Sequence, residues 1–154
     1  MLNEKLLKDY AADCTRRTMK TDFAELGKVI DILIKAKRDD KVIYTAGNGG
    51  SLATASHICN DLAKGCRVHN RTGFNAICLG DSTAVITCLS NDFCYEDFYK
   101  IQIETKIKSG DVFLVFLHLP MIFIYSYTLQ QQSLLQQVRC WHFLRFRTVL
   151  SNKV

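Results

Sequence analysis

Gly47-Asn48-Gly49-Gly50-Ser51 is the stretch whose residue types point most directly to chemistry. It follows a short apolar run and precedes a helical pattern. Glycines permit a tight turn and let backbone N–H groups face an anion. The amino end of the following helix adds free donors and a partial positive charge. Ser51 offers a hydroxyl at the first turn, and a phosphate ester is the natural guest. The loop is not a Walker A motif, which requires Gly-Lys-Ser/Thr. Nor is it a dinucleotide fingerprint, because Leu52 stands where the third glycine would be. A plain strand-to-helix turn without a ligand has the same local composition.

His57 and Asp61 follow, four residues apart and therefore on one helix face. Imidazole and carboxylate at that spacing can hold a divalent metal or move a proton. They can equally form an ordinary hydrogen bond on a helix surface. Asp92, in Asn91-Asp92-Phe93, reads as an N-cap for a helix from Phe93 onward, or as a carboxylate that takes sugar hydroxyls. Asp81-Ser82-Thr83 falls just after a predicted strand, at the edge where α/β folds bind ligands, and a helix cap accounts for it as well.

The elements that must position these residues are legible from periodicity. Leu2 to about Lys20 has a helical stripe through Leu6, Leu7, Tyr10 and Ala11. Asp22 with Glu25 three residues on predicts a capping box for a second helix ending near Arg38-Asp39-Asp40. Lys41 to Ala46 is a β-branched and aromatic run, hence a strand. A helix over Leu52–Lys64, a strand over Phe74–Leu79, helices over Ser82–Ser90 and Phe93–Lys108, and a strand over Asp111–Leu117 complete the pattern. Strands alternating with helices predict an α/β fold with a parallel sheet covered on both faces.

Composition narrows the class. With 48% hydrophobic residues, 8 Gly and 1 Pro in 154 residues, the chain is neither collagenous nor disordered and has room for one core. The net charge of +5 does not describe a nucleic-acid surface. Residues 117–154 carry Arg139, Arg145, Arg147 and Lys153 with no acidic residue, and the rest of the chain is close to neutral. Seven cysteines without a Cys-x-x-Cys pair exclude a zinc knuckle and fit a reducing, cytoplasmic setting. The start, Met1-Leu2-Asn3-Glu4-Lys5, lacks the apolar run of a secretory signal. Val112–Leu129 is uncharged over 18 residues, but Pro120 and several hydroxyl residues argue against a membrane helix.

In this order, Gly47-Asn48-Gly49-Gly50-Ser51, Ala55-Ser56-His57 with Asp61-Leu62, Asp81, Asn91-Asp92-Phe93 and Gly110-Asp111-Val112 resemble the sugar isomerase (SIS) domain family. Within it they are most similar to the phosphoheptose isomerases. The resemblance implies a doubly wound, Rossmann-like three-layer sandwich that binds phosphosugars at the carboxyl edge of its sheet. It implies aldose–ketose isomerisation of sedoheptulose 7-phosphate through an enediol, a zinc ion, and a homotetramer. On this reading Asn48, Gly49, Gly50 and Ser51 bind the substrate together with Asp92. His57 and Asp61 hold the metal, and Asp61 also moves the proton, although the family has the longer glutamate at that position. A non-catalytic phosphosugar-binding or interaction module is the alternative, since some SIS domains are regulators.

The chain leaves the family's pattern after Phe116. A serine-rich phosphate loop is expected there, and the sequence reads Leu117-His118-Leu119-Pro120-Met121. Codons for these five residues can be chosen so that a shifted frame encodes Thr-Ser-Ala-Asn. Gln130–Gln137 holds five of the six glutamines, which adds to the impression of a shifted frame. The expectation is therefore a SIS domain over residues 1–116, incomplete at its C-terminus. An aberrant tail over 117–154 would follow, and the chain would be inactive as an isomerase.

Overall fold

A computed structural model describes residues 3–117 and the backbone of residues 122–126. Helix α1, Glu4–Thr18, starts at Asn3, whose side chain accepts from the Lys5 amide. Helix α2, Phe23–Arg38, starts at Asp22, whose carboxylate accepts from the amides of Ala24 and Glu25. That is half of a capping box. The Glu25 carboxylate turns outward to Lys28 instead of reaching back.

Strand β1, Ile43–Ala46, lies between two parallel neighbours, β2 (Ala76–Cys78) and β3 (Val112–Phe116). The sheet order is β2-β1-β3-β4. Strand β4, Ile122–Ser126, adds an antiparallel edge, with Leu114 opposite Ile124. It falls within the stretch that composition set apart, beyond the expected boundary at residue 116. The remaining expectations for the tail, including its glutamine cluster, lie outside the described residues. The uncharged stretch from Val112 begins as strand, and among the described residues no helix is long and apolar enough to cross a membrane.

Helices cover both faces of the parallel strands, as alternation requires. Tyr44, Ala46, Phe113 and Val115 point to one face and pack with Leu79 and with Phe98, Tyr99 and Ile103 of α5, Phe98–Lys106. Ile43, Val112, Leu114 and Phe116 point to the other. They pack with Ala36 of α2 and with Ala55 and Cys59 of α3, Gly50–Asn60. Every residue of β1 and β3 is buried. Burial on both faces explains why these runs are continuously apolar rather than alternating.

Asp111 closes the amino end of the sheet. It is buried, and its two oxygens accept from the amides of Val42 and Lys108, each at 2.9 Å. One carboxylate thus ties the start of β1 to the turn that leads into β3. Charge-assisted bonds to backbone amides are among the stronger neutralisers of a buried carboxylate.

Three expected boundaries move. The helix expected over Leu52–Lys64 begins at Gly50, and its last turn, Asp61–Gly65, is π-helical. There the Cys66 amide donates to the Asp61 carbonyl, and the Phe74 amide takes the Leu62 carbonyl at 2.9 Å. The strand-leading segment has claimed an acceptor that the helix would otherwise use. The helix α4, Thr83–Asp92, is capped by Ser82, as a cap reading of that segment predicts. The helix expected from Phe93 begins only at Phe98, after an extended Cys94 and a 3₁₀ turn over Tyr95–Asp97. Asp92 is accordingly the last residue of α4 and not an N-cap.

Candidate functional site

The loop from Gly47 to Ser51 emerges at the carboxyl end of β1, the edge where open α/β sheets bind ligands. Its glycines have distinct reasons. At Gly47 a Cβ would lie 2.4 Å from the carbonyl carbon and oxygen of Ser51, so packing of the turn itself demands glycine. Gly49 has φ +55°, a conformation L side chains rarely adopt. Gly50 has neither constraint, and a Cβ there would meet nothing within 4 Å. The fold does not need glycine at Gly50, which opens α3 with free space beside it.

The donors around that space are free to bind. The N-cap position of α3 is Gly49, which has no side chain to cap the first turn. Among the described residues the amides of Asn48, Gly49 and Gly50 donate to no acceptor, whereas Ser51 and Leu52 donate back to Asn48 and Gly49. Uncapped amides with an open approach are what an anion requires.

The loop is held from behind by α5 and the turn before it. Tyr99 Oη donates to the Gly47 carbonyl at 2.5 Å and accepts from the Gly47 amide at 3.2 Å. Tyr95 Oη donates to Asn48 Oδ1 at 3.0 Å. Gln102, also buried, donates from Nε2 to the Leu79 carbonyl just after β2. These three side chains carry no local sequence signal. Their spacing of four and three residues is that of any amphipathic helix, and only the tertiary structure shows that they meet two carboxyl-edge loops.

Asp92 sits on the same side through Tyr95. It is exposed, and its carboxylate accepts from Asn91 Nδ2 at 3.0 Å and from the Cys88 thiol at 3.4 Å. Those hydrogen bonds, Asn91 first, hold its carboxyl below the usual range. It is ionised and reachable.

His57 and Asp61 do meet, with Nε2 and Oδ2 3.5 Å apart, but their side chains are 75% and 54% exposed. Helix α3 faces the sheet through Ala55 and Cys59, so the pair lies on its outer side. A zinc site needs three or four protein donors. Among the described residues no group of three His, Cys, Asp or Glu comes together. The pair alone does not make a zinc site.

A parallel sheet with helices on both faces and an open glycine loop at its carboxyl edge defines a doubly wound α/β domain. The SIS domain family matches residues 8–120, and this chain belongs to that family, on its phosphoheptose-isomerase-like branch. The phosphoheptose isomerase of Leptospira biflexa is 38% identical over 84 residues, 54% of this chain and 43% of that protein. That of Roseiflexus sp. is 31% identical over 104 residues, 68% of this chain and 52% of that protein. The chain spans about half the length of the curated relatives it matches. The solved phosphoheptose isomerase of Neisseria gonorrhoeae superposes with a TM-score of 0.63 at 20% identity, over 75% of this chain and 60% of that one. The Francisella tularensis structure gives 0.64 at 18% identity, over 73% of this chain and 59% of that one. These two share the fold.

Tyr99 makes the clasp behind the loop testable by pH. Burial pushes its phenol up to about 12, against the opposing effect of the Gly47 amide bond. The folded state therefore holds this proton more tightly than the unfolded chain, where tyrosine titrates near ~10. Its contribution is complete below that value and is lost as pH rises from there toward the folded pKa. Denaturant melts should show the native chain losing on the order of 2 kcal/mol more than Tyr99→Phe across that window. Equal slopes for the two proteins would show that Tyr99 is not the titrating group.

Proposed function

We propose that this chain binds a phosphorylated sugar at the carboxyl end of β1, with the phosphate on the Gly47–Ser51 loop. The observation that carries the reading is the open glycine at Gly50 in front of unpartnered loop amides. Asn48, Gly49, Gly50 and Ser51 take the phosphate, and Asp92 accepts from sugar hydroxyls. The names of the relatives point to heptose phosphates as the sugar class, and the resemblance of the motifs makes sedoheptulose 7-phosphate the first candidate. The six described cysteines are all free thiols, which supports a reducing, cytoplasmic setting.

The associated reaction is aldose–ketose isomerisation. A base removes a proton from the carbon beside the carbonyl, the enediol forms, and the proton returns to the neighbouring carbon. Donors must hold both oxygens while charge moves between them. Asp61 is the proposed base. In a single chain it lies on the outer side of α3, at the opposite end of that helix from the loop. The serine-rich phosphate loop expected after Phe116 is replaced by Leu117-His118-Leu119-Pro120-Met121, and we therefore infer that the 154-residue chain binds the sugar without turning it over, which is the behaviour of a binding module. Calorimetry with sedoheptulose 7-phosphate should detect binding by the native chain, and Ser51→Ala should weaken it by about 1.5–3 kcal/mol, one charge-assisted hydrogen bond. The same preparation should show no isomerisation. Equal affinity would remove Ser51 from the site, and turnover would refute the binding-only reading.

Self-association is the second part of the proposal. Helix α1 buries no residue, and Leu6, Leu7 and Tyr10 are exposed on it. Phe23, Leu26, Ile30 and Ile34 expose a second apolar stripe on α2. A 15-residue helix without tertiary partners is marginal in water. A second copy of the chain, with tetramers as the expected assembly, would cover both stripes. Sedimentation equilibrium at micromolar concentration should give a mass above one chain, and Leu7→Glu with Ile30→Glu should return it to the monomer. A native chain that sediments as a monomer would rule the assembly out.

Zinc uptake depends on donors beyond His57 and Asp61, from another copy or from residues outside the described set. If the pair takes part, His57→Ala should lower the zinc content of dialysed protein and leave its circular dichroism unchanged. Unchanged metal content would leave His57 and Asp61 as a helix-surface pair.

A further inference from the structure

The face of the loop turned away from the open space is gripped at two consecutive residues. Tyr99 bonds both the carbonyl and the amide of Gly47, and Tyr95, one helical turn earlier, bonds the side chain of Asn48. The two tyrosines are braced on Phe98, whose ring lies 5.4 Å from that of Tyr95 and 3.9 Å from that of Tyr99. The Tyr99 hydroxyl also passes close to the loop after β2. A Cβ at Gly80 would come within 3.0 Å of Tyr99 Oη and 2.3 Å of Leu52 Cδ1. Loops from two strands therefore converge on one phenol.

The Tyr95 contact has a chemical consequence at Asn48. A carboxamide has one acceptor oxygen and a two-proton donor nitrogen. Tyr95 Oη donates to the oxygen. The nitrogen is thereby turned away from Tyr95, and among the described residues it has no acceptor. An Asn without such an anchor can present either end. With it, the amide offers donors, which suits a phosphate or a sugar oxygen and disfavours a cation. Tyr95 also sits three residues after Asp92, in the segment whose extended Cys94 interrupted the expected helix. That interruption is what lets the Tyr95 ring reach across to the loop.

We propose that Tyr95 is a positioning residue for ligand binding: it fixes the Asn48 carboxamide with its N–H donors toward the ligand and joins the glycine loop to the segment carrying Asp92. Tyr99 supports the same loop from the buried side. The inference rests on the phosphosugar reading above and names the residue that orients part of its site.

The test is a double-substitution cycle on the full chain, with sedoheptulose 7-phosphate as the calorimetric probe. Tyr95→Phe removes one oxygen from a part-exposed ring, and near-UV circular dichroism and melting should match the native chain. Tyr95→Phe should weaken binding about fivefold to tenfold, the worth of one oriented hydrogen bond. In an Asn48→Ala background the same change should have no further effect, because Tyr95 acts through Asn48. A structural role for Tyr95 would weaken binding equally in both backgrounds, and that additive result overturns the proposal. Should Tyr95→Phe melt early, Tyr95→Trp in the same cycle separates ring packing from the lost hydroxyl. Packing alone predicts native affinity for the Trp variant and refutes the orienting bond. If the native chain binds nothing, the phosphosugar reading falls and takes this role with it. If it binds and the cycle is additive, only the role of Tyr95 falls.

Discussion

Strand β1 is hydrogen-bonded on both edges, to β2 and to β3, and all four of its residues are buried. A central parallel strand has no freedom to shift. A one-residue slip would turn Ile43 and Tyr44 to the wrong faces and disrupt both core clusters. Thr45, fully buried, adds a side-chain bond from Oγ1 to the Ala55 carbonyl, which fixes α3 against the strand. The position of the glycine loop follows from that pinning at both of its ends. The loop leaves a strand that cannot slide and enters a helix tied to the same strand.

A rigid frame permits a loop with few internal constraints. Between Gly47 and Ser51 the backbone gives up side chains that could cap the helix, and it leaves amides without acceptors. Such a segment would be a weak point in isolation. Here α5 and the turn before it supply the missing restraint through Tyr99 and Tyr95. Restraint behind and open donors in front is an arrangement suited to binding. The ordering entropy is already spent when the ligand arrives.

The outer parts of the chain contrast with this frame. Helix α1 and one face of α2 present apolar residues to solvent, and His57 and Asp61 present polar chemistry on the outer side of α3. Neither feature contributes to the stability of a single chain. Both become intelligible if further surface is brought against them, and the two helices carry enough apolar area to attract it.

Local patterns in the sequence determined the order of elements as far as β3, the covered parallel sheet and the place of the glycine loop between β1 and α3. These depend on local patterns: apolar runs for strands buried on both faces, caps such as Asp22 and Ser82, and a glycine cluster between a strand and a helix. What the sequence could not show is where tertiary contacts override those patterns. Phe93–Lys108 contains no residue that forbids a helix before Gly110, yet Cys94 is extended, and Tyr95 after it bonds Asn48 across the sheet edge. The last turn of α3 widens because Phe74 takes a carbonyl from it. Asp111 could be read only as part of a motif, and the fold makes it the carboxylate that binds two amides far apart in sequence. The spacing of His57 and Asp61 correctly placed them together, but spacing within one helix cannot say which way that face looks. That direction is set by the packing of Ala55 and Cys59 on the sheet, a choice made between elements and not within one.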